Sequence, residues 1–218
     1  MKRPSYSAAP LWAGTVPAII AALGILICTG WARAQSSDVV KVEEDWELVL
    51  TQPDAATVAP QVTCAMSPTN NLDDTYWTFE VNHLTAPSFS AGGLHMHQWR
   101  GEWRQSTLSR NDRAVLTTAN ETVAWTQSLR TNAGRLTFEV RNGTSQTWGE
   151  FGYGSYELST SWSAPHLNGY SPETSVANAG VGFAANRVNS LKLKRVRVTY
   201  ADGQTISDNT ERVVFQQQ

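Results

Sequence analysis

The sequence predicts an all-β protein that folds as a two-sheet antiparallel β-sandwich or jelly roll. Three observations support this fold class. Apolar and polar residues alternate with a period of two in many segments, which places the apolar side chains on one face of a strand. Turn-forming pairs such as Asn142-Gly143 and Asp202-Gly203 separate these segments. After residue 34, no window of useful length has apolar residues at helical spacing.

Each predicted strand rests on its own alternation and ends at turn residues. Trp46, Leu48 and Leu50 alternate in the first strand, which stops at Gln52-Pro53-Asp54 because proline cannot donate a ladder hydrogen bond. In chain order, beginning with this first strand, the predicted strands are Lys41–Thr51, Gln61–Met66, Trp77–Val81, Leu94–Trp99, Arg113–Thr118, Thr122–Leu129, Arg135–Arg141, Tyr156–Trp162, Ser190–Tyr200, Gln204–Ser207 and Arg212–Phe215. About twelve short strands fit a large sandwich better than a seven-strand immunoglobulin domain.

The segment from Ser190 to Tyr200 contains the most specific prediction about backbone geometry. Leu191 and Leu193 share one parity, whereas Val196 and Val198 share the other. This change at Lys194-Arg195 predicts a β-bulge, an extra residue that lets both apolar sets face the same core. By contrast, the stretch Ser163–Ala179 is rich in Ser, Pro, Asn and Gly and is predicted to be a long loop.

The first 34 residues have the pattern of an export signal. Lys2 and Arg3 precede an uncharged run, and Ala32-Arg33-Ala34 matches a cleavage site. We therefore expect residues 35–218 to form a single domain that is secreted, periplasmic or at the cell surface. The alternative is an uncleaved membrane anchor, because about 20 uncharged residues can span a bilayer. Membrane contact is expected only in that case.

Charge and cysteine content exclude some classes of function. Removing 34 residues from the 218-residue chain leaves 184, with 14 basic and 19 acidic side chains. A net charge of about −5 gives no indication of a nucleic-acid-binding surface. Cys64 is the one cysteine in this part, and its phase with Val62 and Met66 indicates a buried residue. No Gly-x-Ser-x-Gly motif for a nucleophilic serine is present.

Two stretches and the chain length carry a resemblance to known β-sandwiches. Ser90-Ala91-Gly92-Gly93-Leu94 leads into a mid-chain strand, and Gly180-Val181-Gly182-Phe183 precedes Ser190–Tyr200 near the end. In these features the chain is similar to concanavalin A-like lectin and laminin-G sandwiches. Val42-Glu43-Glu44-Asp45-Trp46-Glu47-Leu48 also resembles the opening of a group of uncharacterised secreted bacterial proteins. The first resemblance implies the sandwich fold, and neither resemblance names a ligand.

The strand after Gly92-Gly93 contains the strongest candidate site. His95, His97 and Trp99 are two residues apart, so their side chains lie on one face, with Leu94 and Met96 on the core side. The face fits a ligand-binding surface or a solvated strand face. With Glu102 it also forms His-x-His-x4-Glu, which resembles the first metal motif of the cupins, although the glycines of that motif are misplaced. A cupin-like metal-dependent enzyme is therefore an alternative.

Other candidate residues are more dispersed. Trp103 and Trp148 lie beside glycines near turns, where exposed indoles can stack on sugars. Asn70, Asp73 and Asp74 lie in one polar loop and are candidate calcium ligands. Glu43 and Asp45 fit part of the Glu-x-Asp-x-x-Glu motif of concanavalin A-like glucanases, but position 48 is leucine, and both acids are expected to face solvent.

The sequence favours a non-catalytic module that binds a glycan or a cell-surface partner and needs no cofactor. The alternatives are the cupin-like enzyme and a structural surface protein without a small ligand.

Overall fold

The protein is a two-sheet antiparallel β-sandwich, compatible with a jelly roll, as predicted. A computed structural model describes residues 38–51, 60–81, 92–113, 116, 118–152 and 156–218, which belong to one compact unit, Ser36–Gln218. The predicted export signal, residues 1–34, lies outside the described residues. Within the described part of the chain, no helix is long and apolar enough to cross a membrane.

Thirteen strands, one short helix and one 3₁₀ turn make up the described secondary structure. In chain order they are β1 Val39–Leu50, β2 Gln61–Met66, β3 Thr75–Val81, β4 Gly92–Arg100, β5 Trp103–Arg113, β6 Thr122–Asn132, β7 Arg135–Ser145, β8 Gly149–Phe151, β9 Glu157–Ser161, α1 Pro172–Ala177, β10 Gly180–Phe183, a 3₁₀ turn Ala185–Arg187, β11 Val188–Tyr200, β12 Thr205–Asp208 and β13 Arg212–Gln216.

The strands form an eight-stranded and a five-stranded sheet. The larger sheet has the order β12-β11-β1-β6-β7-β8, with β13 paired to β11 and β9 paired to β7. The smaller has the order β10-β2-β3-β4-β5. Strands β1 and β6 therefore lie at the centre of the large sheet, whereas β5 lies at an edge of the small one.

Aromatic rings from both sheets meet in the core. Phe79 on β3 contacts Trp125 on β6 edge-on with ring centroids 5.6 Å apart, and Trp77 on β3 stacks on Phe138 of β7 at 6.1 Å. Trp46 on β1 stacks on Trp125 at 6.4 Å. Each such pair contributes about 0.5–1.5 kcal/mol beyond area burial. Alternation in their strands predicts core positions for Trp46, Trp77, Trp125 and Trp162. The first three are buried in the core, whereas Trp162 is partly buried and packs against it.

The predicted β-bulge is confirmed. Asp45 on β1 pairs with Arg195, but the next residue, Trp46, pairs with Leu193, so Lys194 is the extra residue. Because of this insertion, Leu191, Leu193 and Val196 are all buried in one core despite their different parities.

Strand β5 and helix α1 were not predicted. The described side chains of β5 are mostly polar and exposed, with Leu108 alone packed against the core, so no alternation marks this edge strand. Helix α1, in the predicted loop Ser163–Ala179, is six residues long and too short to show a helical period. Residues 114, 115 and 117 of the predicted strand Arg113–Thr118 lie outside the described residues.

Replacement of Gly152 by alanine should destabilise the protein more than replacement of Gly203. Both glycines have positive φ, +87° and +88°, so each substitution carries a left-handed penalty of roughly 1 kcal/mol. A Cβ at Gly152 would also lie 2.8 Å from Arg141 Cα, whereas one at Gly203 would meet no atom within 4 Å. Overpacking of this kind costs about 1–3 kcal/mol more.

Urea denaturation of the two variants measures this difference directly. Gly203→Ala is the matched control for the backbone penalty, and equal losses of unfolding free energy would contradict the close approach of residue 152 to β7.

Candidate functional site

Strand β4 presents three aromatic side chains on the outer face of the five-stranded sheet. Leu94 and Met96 are fully buried in the core, and His95, His97 and Trp99 alternate with them. The predicted division of this strand into two faces is therefore confirmed.

A fourth ring extends the row onto β3. Tyr76 pairs with Trp99 across the two strands, and their rings stack with centroids 6.2 Å apart. The centroids of Trp99 and His97 are 5.9 Å apart, and those of His97 and His95 are 5.8 Å apart. We call Tyr76, Trp99, His97 and His95 the ring row. The row lies outside the hydrophobic core, so its rings are not needed to join the two sheets.

Polar side chains of the neighbouring strands orient the middle of the ring row. His97 Nδ1 lies 2.8 Å from Thr107 Oγ1 on β5, and His97 Nε2 lies 3.6 Å from Glu80 Oε2 on β3. Thr78 donates to Glu80 Oε1 at 3.1 Å and accepts a hydrogen bond of the same length from Trp99 Nε1. These contacts restrict the rotamers of both rings. His97 is 2% exposed, so it supports the row from below rather than forming its surface.

The accessible part of the row lies at its two ends. His95, Tyr76 and Trp99 are half-buried, and the hydroxyl-bearing side chains of Thr107 and Ser109 are exposed beside them. Ser109 Oγ lies 3.3 Å from His95 Nδ1. The surface therefore combines aromatic faces with hydroxyl and imidazole groups, which suits a ligand with both C–H faces and hydroxyls.

Glu102, the predicted third metal ligand, lies in the turn between β4 and β5 and is exposed. The carboxylate closest in register to the histidines is Glu80, which pairs with His95. Among the described residues, no group of three or more His, Cys, Asp or Glu side chains is arranged to hold a metal ion. The geometry thus brings His95 and His97 together without Glu102.

The predicted calcium loop uses its polar groups for turn contacts. Asn71 Oδ1 accepts from the backbone N–H of Asp73 at 3.1 Å, and the carbonyl of Asn70 accepts from Thr174 of α1 at 2.8 Å. Asp74 lies 3.6 Å from the guanidinium of Arg100. The loop is therefore fastened to α1 and to the end of β4.

The two turn tryptophans have opposite environments. Trp103 is 77% exposed, as expected, and pairs with Arg100 in the β4–β5 hairpin. Trp99 pairs with Arg104, so Arg104 shares the face of the ring row. Trp103, the preceding residue on β5, therefore has the opposite parity from the ring row. The expected exposure of Trp148 is wrong. This ring is 8% exposed and packs edge-on against Phe151 at 5.8 Å, because the turn folds it onto the core.

Glu44 is one of the buried polar residues that sequence reasoning missed. It shares the parity of Trp46 and Leu48 and lies fully buried between the sheets. Trp46 Nε1 and Gln127 Nε2 donate to one carboxylate oxygen at 2.9 and 2.7 Å, and the Tyr170 hydroxyl donates to the other at 2.6 Å. The parity alone could have identified it as an inward-facing acid.

Burial governs the ionisation of this network. Desolvation raises the pKa of Glu44, although the hydrogen bonds from Tyr170, Gln127 and Trp46 oppose that shift. Burial, followed by the nearby carboxyl of Glu44, raises the pKa of Tyr170 and that of Cys64. Glu44 is 0% exposed, and its hydrogen bonds join β1, β6 and the segment before α1.

Comparison with known proteins adds no family. No protein-family model matches the chain, and the search of curated proteins found no significant match. The class that can be stated is the two-sheet antiparallel β-sandwich described above.

Protein stability should fall with rising pH because of Glu44. A carboxyl whose pKa is raised by folding binds more protons in the native than in the unfolded state. The contribution of Glu44 to the free energy of unfolding is fully present below the ordinary pKa of 4.5. It is lost as the pH rises through the raised pKa of the folded protein. The free energy of unfolding, measured by urea denaturation across this range, should therefore decline, and Glu44→Gln should reduce the decline.

Tyr170→Phe provides a second variant for the same experiment. Loss of a donor to the ionised carboxylate should extend the decline to higher pH. Identical pH profiles for the native protein and Glu44→Gln would contradict the role assigned to this carboxyl.

Proposed function

We propose that this protein is a non-catalytic binding module whose ligand, a glycan or another cell-surface component, contacts the outer face of the five-stranded sheet. The observation that carries the proposal is the ring row, four aromatic or imidazole rings about 6 Å apart on a face that the core does not use.

The chemistry of the face favours a sugar as the ligand. Indole and phenol rings offer flat apolar surfaces for the C–H faces of pyranose rings, and the imidazole of His95 and the hydroxyls of Thr107 and Ser109 supply hydrogen bonds to sugar hydroxyls. The row lies on paired strands, which hold a binding constellation more rigidly than loops do. Trp103, at the hairpin tip, adds an exposed ring at the end of the same sheet.

The resemblance to concanavalin A-like lectin and laminin-G sandwiches supports the same proposal. The fold agrees at the coarse level, since both groups are two-sheet β-sandwiches. The predicted signal in residues 1–34 supports a location outside the cytoplasm, secreted, periplasmic or at the cell surface, where such ligands occur.

Replacement of Trp99 by alanine should weaken glycan binding, and Trp103, which has the opposite parity, tests whether the ligand extends past the hairpin tip. Trp99→Ala removes the centre of the exposed row, together with its stacking on Tyr76, and should reduce affinity at least about tenfold. Trp103→Ala should reduce affinity by a few fold if the ligand reaches the hairpin tip. The measurement is a glycan array on the purified protein, followed by titration calorimetry with the best ligand.

Ile206→Ala and Trp148→Ala are the controls. Ile206 is an exposed apolar residue on β12, so its loss should leave affinity unchanged. Trp148→Ala should lower thermal stability without a specific effect on affinity, because the ring is buried. Glycan binding that survives both Trp99→Ala and Trp103→Ala would show that the site lies elsewhere.

Two further results would favour the alternative functions. Stoichiometric zinc, manganese, iron or nickel, lost in His95→Ala, would favour a cupin-like metal-dependent enzyme. Absence of binding to any glycan would favour a structural surface protein.

A further inference from the structure

The outer face of the eight-stranded sheet carries a cluster with excess positive charge. Its members are Lys41, Glu43 and Asp45 on β1, Arg141 on β7, and Arg195 and Arg197 on β11, and we call them the cation cluster. Four cations surround two carboxylates there, although the whole chain has a formal net charge of −2. Glu43 and Asp45 point away from the core, but the expectation that both face solvent is wrong for Glu43, which is 8% exposed.

The two carboxylates are shared among the cations. Glu43 contacts Lys41 at 3.0 Å and also pairs with Arg141, and Asp45 accepts a hydrogen bond from Arg195 Nε at 2.7 Å. Arg197 lies between the same two carboxylates. Its Nε lies 3.5 Å from Glu43 and its Nη2 lies 3.5 Å from Asp45.

Arg197 is the member whose hydrogen-bonding capacity is least used. Its side chain is 25% exposed, its Nε is buried, and its guanidinium makes no hydrogen bond to any residue that the structure describes. A guanidinium presents five N–H donors, and the two ion-pair contacts of Arg197 involve its Nε and Nη2. The remaining N–H groups of this partly exposed side chain can pair with an added anion.

The electrostatics of the neighbouring cations support this reading. Burial lowers the pKa of Arg141, and the charge of Arg197 lowers it further. Burial also lowers the pKa of Lys41, with Arg141 the next cause. An added negative charge would relieve this repulsion.

A cleft of about 290 Å³ opens beside Arg197 on this face. Ala124 is one of the residues that line it. The polar residues around it are Asp45, Glu47, Thr126, Asn142, Lys194, Arg195 and Arg197. The bulge contributes to the cleft, because the extra residue allows both Lys194 and Arg195 to reach acidic partners on the outer face.

We propose that this cleft is a second ligand site, separate from the ring row, that binds a carboxylated sugar such as a uronate. The sugar carboxylate pairs with the guanidinium of Arg197, whose planar fork fits a carboxylate. The sugar hydroxyls bond to the exposed amide of Asn142 and to the carboxylate of Asp45. The hydroxyl of Thr126 donates a hydrogen bond of 2.8 Å to the same carboxylate. The mixed charges of the cleft suit a ligand that carries one anionic group among many hydroxyls.

Titration calorimetry of the purified protein with glucuronate, glucose and inorganic phosphate tests the site. Glucuronate should bind saturably and more weakly at high salt. Glucose should bind at least about tenfold more weakly because it lacks the carboxylate. Arg197→Gln should lower glucuronate affinity at least about tenfold, whereas Arg130→Gln, on the same sheet but paired with Glu157, should leave it unchanged.

Asn142→Gly is a second variant that keeps the backbone conformation, since residue 142 has a φ of 53°. It should weaken glucuronate binding by a few fold even if Arg197→Gln does not fold. Oligouronates should bind through the same residues if the natural ligand is a polysaccharide.

Three results would overturn the proposal: no saturable binding of glucuronate, equal binding by folded Arg197→Gln, or phosphate binding as tight as that of glucuronate. The test of this cleft can be distinguished from the test of the ring row. Trp99→Ala should retain glucuronate binding, and Arg197→Gln should retain binding at the five-stranded sheet.

Discussion

The contact of aromatic rings between the two sheets is the interaction on which the rest of the structure depends. Phe79 and Trp77 from β3 reach across to Trp125 and Phe138, and Trp46 stacks behind them on the central strand of the large sheet. Rings of this size set the separation of the sheets and the register of the strands that carry them. A shift of one residue in β3 would move both of its rings to the outside.

The same alternation places chemistry on both outer faces. On the small sheet, residues between the buried positions of β4 form the ring row, in which His97 and Glu80 support the more accessible Trp99. On the large sheet, the corresponding positions of β1 carry Glu43 and Asp45, which attract Arg195 from the neighbouring strand β11 and Arg141 from β7, two strands away. The two faces therefore differ in kind. One presents mainly aromatic rings, with the carboxylate of Glu80 among them, and the other is ionic.

Glu44 is an exception to the apolar filling of the core. Its inward position is compensated by three donors, from Trp46, Gln127 and Tyr170, of which the last comes from the segment leading into α1. The hydrogen bond from Tyr170 fastens this segment to the centre of the large sheet. A buried acid of this kind connects the stability of the sandwich to pH without belonging to either outer face.

The sequence by itself determined the fold class, the core rings, the bulge at Lys194 and the shared face of His95, His97 and Trp99. Each of these follows from parity along a single strand, which local side-chain order encodes. It did not reveal strand β5, because edge strands with polar side chains show no alternation. The tertiary structure decided which strands become neighbours. That is why Glu80 rather than Glu102 lies beside the histidines, why Trp148 is buried, and why Arg197 from β11 meets carboxylates from β1 more than 150 positions earlier in the chain.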